Sequence, residues 1–129
     1  MSIKFKSVVK TQPGVAGGGE RKYYANPVMS GEMNLDSLTR SIEKISTVSG
    51  ADIRAVLYAL VDVSIDALGD SNIVRLGDLG SLRISLSSDG KSVAEEVKAG
   101  DIRKAGIVFT PGSRLKDMLA NAKYVKADN

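Results

Sequence analysis

The 129-residue chain contains no cysteine and no histidine. Without cysteine there is no disulfide, no thiolate nucleophile and no thiolate metal ligand. Without histidine there is no Ser-His-Asp triad, no Cys-His pair and none of the usual zinc ligand sets. Carboxylate or lysine chemistry stays open, but no cluster argues for it, so no catalytic residue, metal or cofactor is expected. Apolar runs are short; none reaches the 18 residues of a transmembrane helix, and no membrane or small-molecule partner is expected. Met1-Ser2-Ile3-Lys4-Phe5-Lys6 alternates polar and apolar residues where a secretory leader needs an apolar core, which points to the cytoplasm. Proline is scarce, three in all, and residues 83–110 have none.

What is present is an uneven charge distribution. The formal net charge is +3. Residues 1–28 carry five basic side chains, Lys4, Lys6, Lys10, Arg21 and Lys22, against Glu20. Residues 29–82 carry four basic and eight acidic side chains, 83–110 five and four, and 111–129 four and two. A basic shell around an acidic middle suits a polyanion approached from one side, or else a mixed solvated surface.

Periodicity sets the order of elements. Residues 3–10, IKFKSVVK, alternate as a strand, and 21–28, RKYYANPV, read as a second one. The glycine-rich stretch 11–20 between them makes a β-hairpin, with a turn at Pro13-Gly14. Gly14 and Gly19 have P-loop spacing, but Glu20-Arg21 follow where Lys-Ser/Thr is required, which excludes a nucleotide loop. Leu35, Leu38, Ile42 and Ile45 form one helical stripe, capped by Asn34 or Asp36. Ser49 caps a second helix whose apolar face runs through Ile53, Val56, Leu57, Leu60, Val61, Ile65 and Leu68. That face is wide enough for more than one neighbour, so Leu57, Leu60, Val61 and Ile65 are expected to be buried between two chains.

Asn72–Leu76 reads as a strand, and Leu82, Ile84 and Leu86 alternate in another. Residues 88–106 are polar, with turns at Ser88–Lys91 and Ala99–Asp101, and Ile107–Phe109 returns as a strand. Pro111 suits a helix start, and a last helix carries Leu115, Met118 and Leu119 on one side. The tail from Tyr124 is expected to be loose.

Two segments are distinctive. One is Arg75-Leu76-Gly77-Asp78-Leu79-Gly80-Ser81-Leu82-Arg83; the other is Phe109-Thr110-Pro111-Gly112-Ser113-Arg114-Leu115-Lys116. In this order, behind a helical hairpin, they resemble the two ends of the DNA-binding arm in the HU and integration-host-factor family. The resemblance covers residues 34–123, and the N-terminal hairpin is similar to a divergent HU-related branch from Bacteroides-type bacteria.

The resemblance implies an α+β, IHF-like fold: helical hairpin, three-stranded sheet with a protruding β-arm, and C-terminal helix, here with an extra N-terminal β-hairpin. It implies one HU-like domain over 1–129, with 1–33 as extension, 34–123 as core and 83–110 as arm, in an intertwined homodimer. The implied function is histone-like DNA binding in the nucleoid, through phosphates and the minor groove, with weak sequence readout. The alternative is an HU-like dimeric interaction module that has lost most DNA affinity.

The implied DNA contacts are Arg75, Arg83, Lys91, Lys98, Arg103, Lys104, Arg114 and Lys116. Gly112, Ser113 and Arg114 form a helix start able to seat a phosphate. Lys4, Lys6, Arg21 and Lys22 are further candidates. Tyr23 and Tyr24 can stack on bases, although one in the core and one on the sheet surface is the simpler arrangement. The family's arm tip carries an Arg-Asn-Pro wedge. Here the tip region is Ser92-Val93-Ala94-Glu95-Glu96-Val97, whose carboxylates repel phosphate, so sharp kinking is not expected. Val93 and Val97 are expected to pack the hairpin rather than to serve as a substitute wedge.

Overall fold

A computed structural model describes residues 1–12 and 14–127. Pro13 of the expected turn, and Asp128 and Asn129 of the expected loose tail, lie outside the described residues. The chain divides into two compact units: Met1–Leu38 with Ala120–Asn129, and Thr39–Leu119.

In the first unit, β1 (Ile3–Thr11) and β2 (Arg21–Pro27) pair antiparallel, as the alternation predicts, from Phe5 opposite Pro27 to Thr11 opposite Arg21. The hairpin loop is closed by the Gln12 N–H donating to the Gly18 carbonyl at 2.6 Å. The expected two-stranded extension is a three-stranded sheet, in the order β2-β1-β6. Its third strand is β6 (Tyr124–Lys126), which corrects the expectation of a loose tail. β6 runs parallel to β1, with Ile3 beside Tyr124 and Phe5 beside Lys126. The Ile3 N–H donates to the Lys123 carbonyl, and the Ala127 N–H to the Phe5 carbonyl, both at 2.8 Å. Backbone pairing with an open edge of β1, rather than side-chain hydrophobicity, orders this short segment.

Helix α1 (Leu35–Ile45) starts where Asn34 Oδ1 accepts the Ser37 N–H at 2.9 Å. Helix α2 (Gly50–Gly69) has Ser49 as its cap, with Oγ accepting the Asp52 N–H at 3.3 Å. Glu43 adds a carboxylate from α1, accepting the Gly50 N–H. Both interactions satisfy donors that a helix N-terminus leaves unpaired.

The second sheet is the meander β3-β4-β5. Strand β3 is only Val74–Arg75, shorter than the expected Asn72–Leu76. β4 (Gly80–Ser88) pairs antiparallel with β5 (Ile102–Pro111), which starts five residues before the expected Ile107. Pro111 closes β5 opposite Gly80 rather than opening the last helix, which corrects its expected place; α3 runs Ser113–Ala120. A strand end also tolerates the missing N–H, which is why the two placements look alike in sequence.

Gly80 has φ +142, and a Cβ there would overlap the Thr110 carbonyl and the Phe109 ring. At Gly112 a Cβ would overlap the Asp78 backbone. Gly80→Ala is expected to destabilise the fold by about 3 kcal/mol or more, from backbone strain plus overpacking. Urea unfolding of the variant checks this.

Among the described apolar residues only Ile53 and Leu68 are buried. Ile53, Leu57, Ser64 and Leu68 share the inward stripe of α2. Its remaining large apolar residues, Val56, Tyr58, Leu60, Val61, Val63 and Ile65, are exposed.

Candidate nucleic-acid interface

Register sorts the side chains of the β3-β4-β5 sheet, because antiparallel partners share a face and neighbours along a strand alternate. One face takes Val74, Leu82 and Phe109 across the three strands, then Ile84 beside Ile107 and Leu86 beside Ala105. The other takes Arg75 beside Ser81 beside Thr110, Arg83 beside Val108, and Ser87 beside Lys104. Arg75, Arg83 and Lys104 therefore form one basic row. From Ser81 to Ser87 it covers six residue steps, about 20 Å at the rise of an antiparallel strand. All three are exposed, and among the described residues none forms an ion pair.

The arm tip behaves differently. Beyond Ser87 a register shift leaves Arg103 unpaired in the ladder, since Ser88 pairs with Ile102. Arg103 instead donates to the Asp89 carboxylate in a short ion pair. That hydrogen bond holds its guanidinium above the usual arginine range, against a smaller opposing effect of desolvation. Lys91 pairs with Asp101 at 3.4 Å. The other oxygen of Asp101 accepts the Lys98 N–H at 2.9 Å, and the Asp89 N–H donates to the Asp101 carbonyl, also at 2.9 Å. Two of the five arm cations are thus neutralised within the arm, leaving Arg83, Lys98 and Lys104. Glu95 and Glu96 sit in a single helical turn, Ala94–Glu96, at the far end. Val93 and Val97 flank that turn and are exposed, so neither packs the hairpin as expected.

Asp89→Asn is expected to strengthen polyanion binding several-fold by freeing Arg103, with the melting temperature almost unchanged because the pair is exposed. Parallel DNA titration and thermal unfolding of the variant and the parent check both halves.

The start of α3 is already partly occupied. The Gly112 N–H donates to the Leu79 carbonyl at 3.0 Å, and Ser113 Oγ donates to Asp78 Oδ1 at 3.2 Å. The Asp78 carboxylate thus already takes the Ser113 hydroxyl. Arg114 and Lys116 are exposed on the first turn of α3. Sequence reasoning missed Asp89 and Asp101 as neutralising partners, because their cations lie 14 and 10 residues away, and missed Asp78 as the acceptor for Ser113, 35 residues away. Tyr24 is half-buried and Tyr23 is 76% exposed, on opposite faces of the sheet, so neither reaches the core expected for one of them. In the first unit, β1 and β2 place Lys4, Lys6 and Lys22 on one face and Arg21 on the other. Among the described residues no group of acidic side chains is arranged to hold a metal ion, and no helix is long and apolar enough to cross a membrane.

A family model described as an HU domain fused to a wHTH, Ig or glycine-rich motif, HU-HIG, matches residues 1–126. The chain belongs to the HU-HIG family. No curated relative matches it. Among solved structures, the HU-HIG chain is similar to a crystal structure from Bacteroides vulgatus of a protein provisionally named a bacterial DNA-binding protein. The TM-score is 0.67 at 12% identity, over 98% of this chain and 49% of that one. The likeness is one of fold, and this chain spans about half of that protein's length. In the HU-HIG chain the two distinctive segments lie side by side: Gly80 faces Pro111, and Leu79 receives the Gly112 N–H.

Proposed function

We propose that the protein is a histone-like, weakly sequence-specific DNA-binding protein of the cytoplasmic nucleoid, acting as an intertwined homodimer and catalysing nothing. The observation that carries the reading is the row Arg75, Arg83 and Lys104 on one sheet face of an HU-HIG chain. The name carried by the Bacteroides vulgatus neighbour agrees with it. Lysine and arginine in such a row contact phosphates and release counterions, without reading bases. Lys98, Arg114 and Lys116 are secondary contacts. Lys91 and Arg103 contribute less than their charge suggests, and the Gly112–Arg114 turn seats a phosphate only if Asp78 yields. With no proline wedge, the arm lies along the minor groove and bends the duplex weakly.

The dimer is supported by surface area. The chain exposes 10525 Å², against ~6,600 Å² for a globular monomer of this mass. Even two separate globules of the sizes of the units would expose only ~7,900 Å². The outer side of α2 and the apolar face of the β4-β5 sheet are the surfaces a second chain would cover.

Gel shifts with two duplexes of unrelated sequence test the function. Comparable retardation of both at ~50 mM salt is expected, the regime in which phosphate contacts dominate. No retardation beside a stable dimer would select the second reading, an HU-like interaction module. That reading is favoured by the charge balance of Thr39–Leu119, which holds eleven basic and eleven acidic side chains.

A further inference from the structure

The unit that holds the arm is neutral, so the positive charge of the protein lies elsewhere. Met1–Leu38 with Ala120–Asn129 holds seven basic and four acidic side chains, which accounts for the whole formal net charge of +3. Register concentrates that charge on one face of the β2-β1-β6 sheet. β1 places Lys4, Lys6, Val8 and Lys10 on this face; β2 adds Lys22, Tyr24 and Asn26, and β6 adds Val125. Among the described residues no carboxylate shares it.

The four lysines are exposed, while Val8, Tyr24 and Asn26 are half-buried and form a floor beneath them. Among the described residues none of the four forms an ion pair. Lys10 Nζ donates to Asn26 Oδ1 at 3.2 Å, a neutral acceptor that positions the ammonium and leaves its charge whole. Lys10 thereby joins Lys4, Lys6 and Lys22, whereas Arg21 falls on the opposite face beside Thr11.

We propose that the face formed by Lys4, Lys6, Lys10 and Lys22 is a second phosphate-binding surface that grips the backbone of duplex DNA. From Lys4 to Lys10 the row spans about 20 Å on the rise of an antiparallel strand, close to the axial length of six base pairs. Lysine is a compact point charge that suits a phosphate and reads no base, so the surface adds affinity and not specificity. It divides the labour between the units: the lysine face supplies charge, and the neutral unit supplies the sheet and arm that follow the groove. The competing explanation is a solvated strand face whose lysines only discourage edge association. The inference rests on the DNA-binding reading above, and the experiment separates the two.

The full-length quadruple variant Lys4→Gln/Lys6→Gln/Lys10→Gln/Lys22→Gln is titrated against a labelled random-sequence duplex over a salt series, beside the parent protein. Glutamine keeps the aliphatic stem and suits a strand surface. The plot of log affinity against log salt should become shallower by at least about 3 units, the release expected from four phosphate contacts in one protomer. The oligomeric state and melting temperature should stay unchanged. Should the quadruple variant fail to fold, the pair Lys4→Gln/Lys22→Gln, at opposite ends of the sheet, should lower the slope by about 2 units. A folded variant with the parental slope overturns the inference and leaves the DNA-binding function standing. A parent protein that binds no DNA at low salt overturns both.

Discussion

Ile65→Asp is expected to abolish the proposed dimer and the folded state together. In one chain Ile65 is 61% exposed on the outer side of α2, and its neighbours Val56, Val61 and Val63 are exposed as well. If the chain worked as a monomer, the substitution would be a surface change worth about 0.5 kcal/mol or less. A helix that carries large apolar residues well beyond its buried stripe belongs in the interior of an assembly. There an unpaired carboxylate costs several kcal/mol per protomer, about the whole stability of a small domain. Asp62 and Asp66 lie three residues before and one after, and residues 61–69 hold no cation, so the new charge finds none within a turn of its own helix. Sedimentation velocity and far-UV circular dichroism on the variant distinguish the cases. Loss of both dimer and helix signal is expected; a well-folded monomer would contradict the dimer.

The second large effect is expected from Arg83→Glu combined with Lys104→Glu. Both are exposed, unpaired and on the same sheet face, so the fold should not change. In a dimer the pair removes four phosphate contacts and places four carboxylates against the backbone. The salt slope should fall by about 4 units and affinity near 0.1 M salt by about 100-fold or more. The comparison with Arg103→Glu is informative, because Arg103 already spends its charge on Asp89. That variant should weaken binding far less than Lys104→Glu does, although the two residues are adjacent. Equal losses from the two single variants would show that the arm ion pair opens on DNA.

This contrast marks the limit of what the sequence discloses. The helices were legible: Asn34 and Ser49 cap where side-chain acceptors precede apolar periodicity, and both caps are made. The two Gly-containing segments were legible as ends of one arm, and they meet at Gly80 and Pro111. β6 was not, because three residues carry too little periodicity and the strand is ordered by Ile3 and Phe5, about 120 positions away. Arg103 and Lys104 could not be told apart, since the register shift after Ser87 decides which joins the row of Arg75 and Arg83. The neutralising carboxylates were hidden for the same reason: pairing across a hairpin depends on register, and register is not written in either partner's neighbourhood. The lysine alternation of β1 was visible, but Lys22 joins it only through pairing with Lys10.

A modest net charge, sorted by two sheets onto basic faces, is expected to be enough to bind duplex DNA through its phosphates. The most direct measurement is the affinity of the parent protein for a random-sequence duplex as a function of salt. Six contacts, from Arg75, Arg83 and Lys104 of two protomers, predict a log–log slope near −5, and steeper if the N-terminal lysine face engages. A slope near zero, or no binding at ~50 mM salt, would contradict the account.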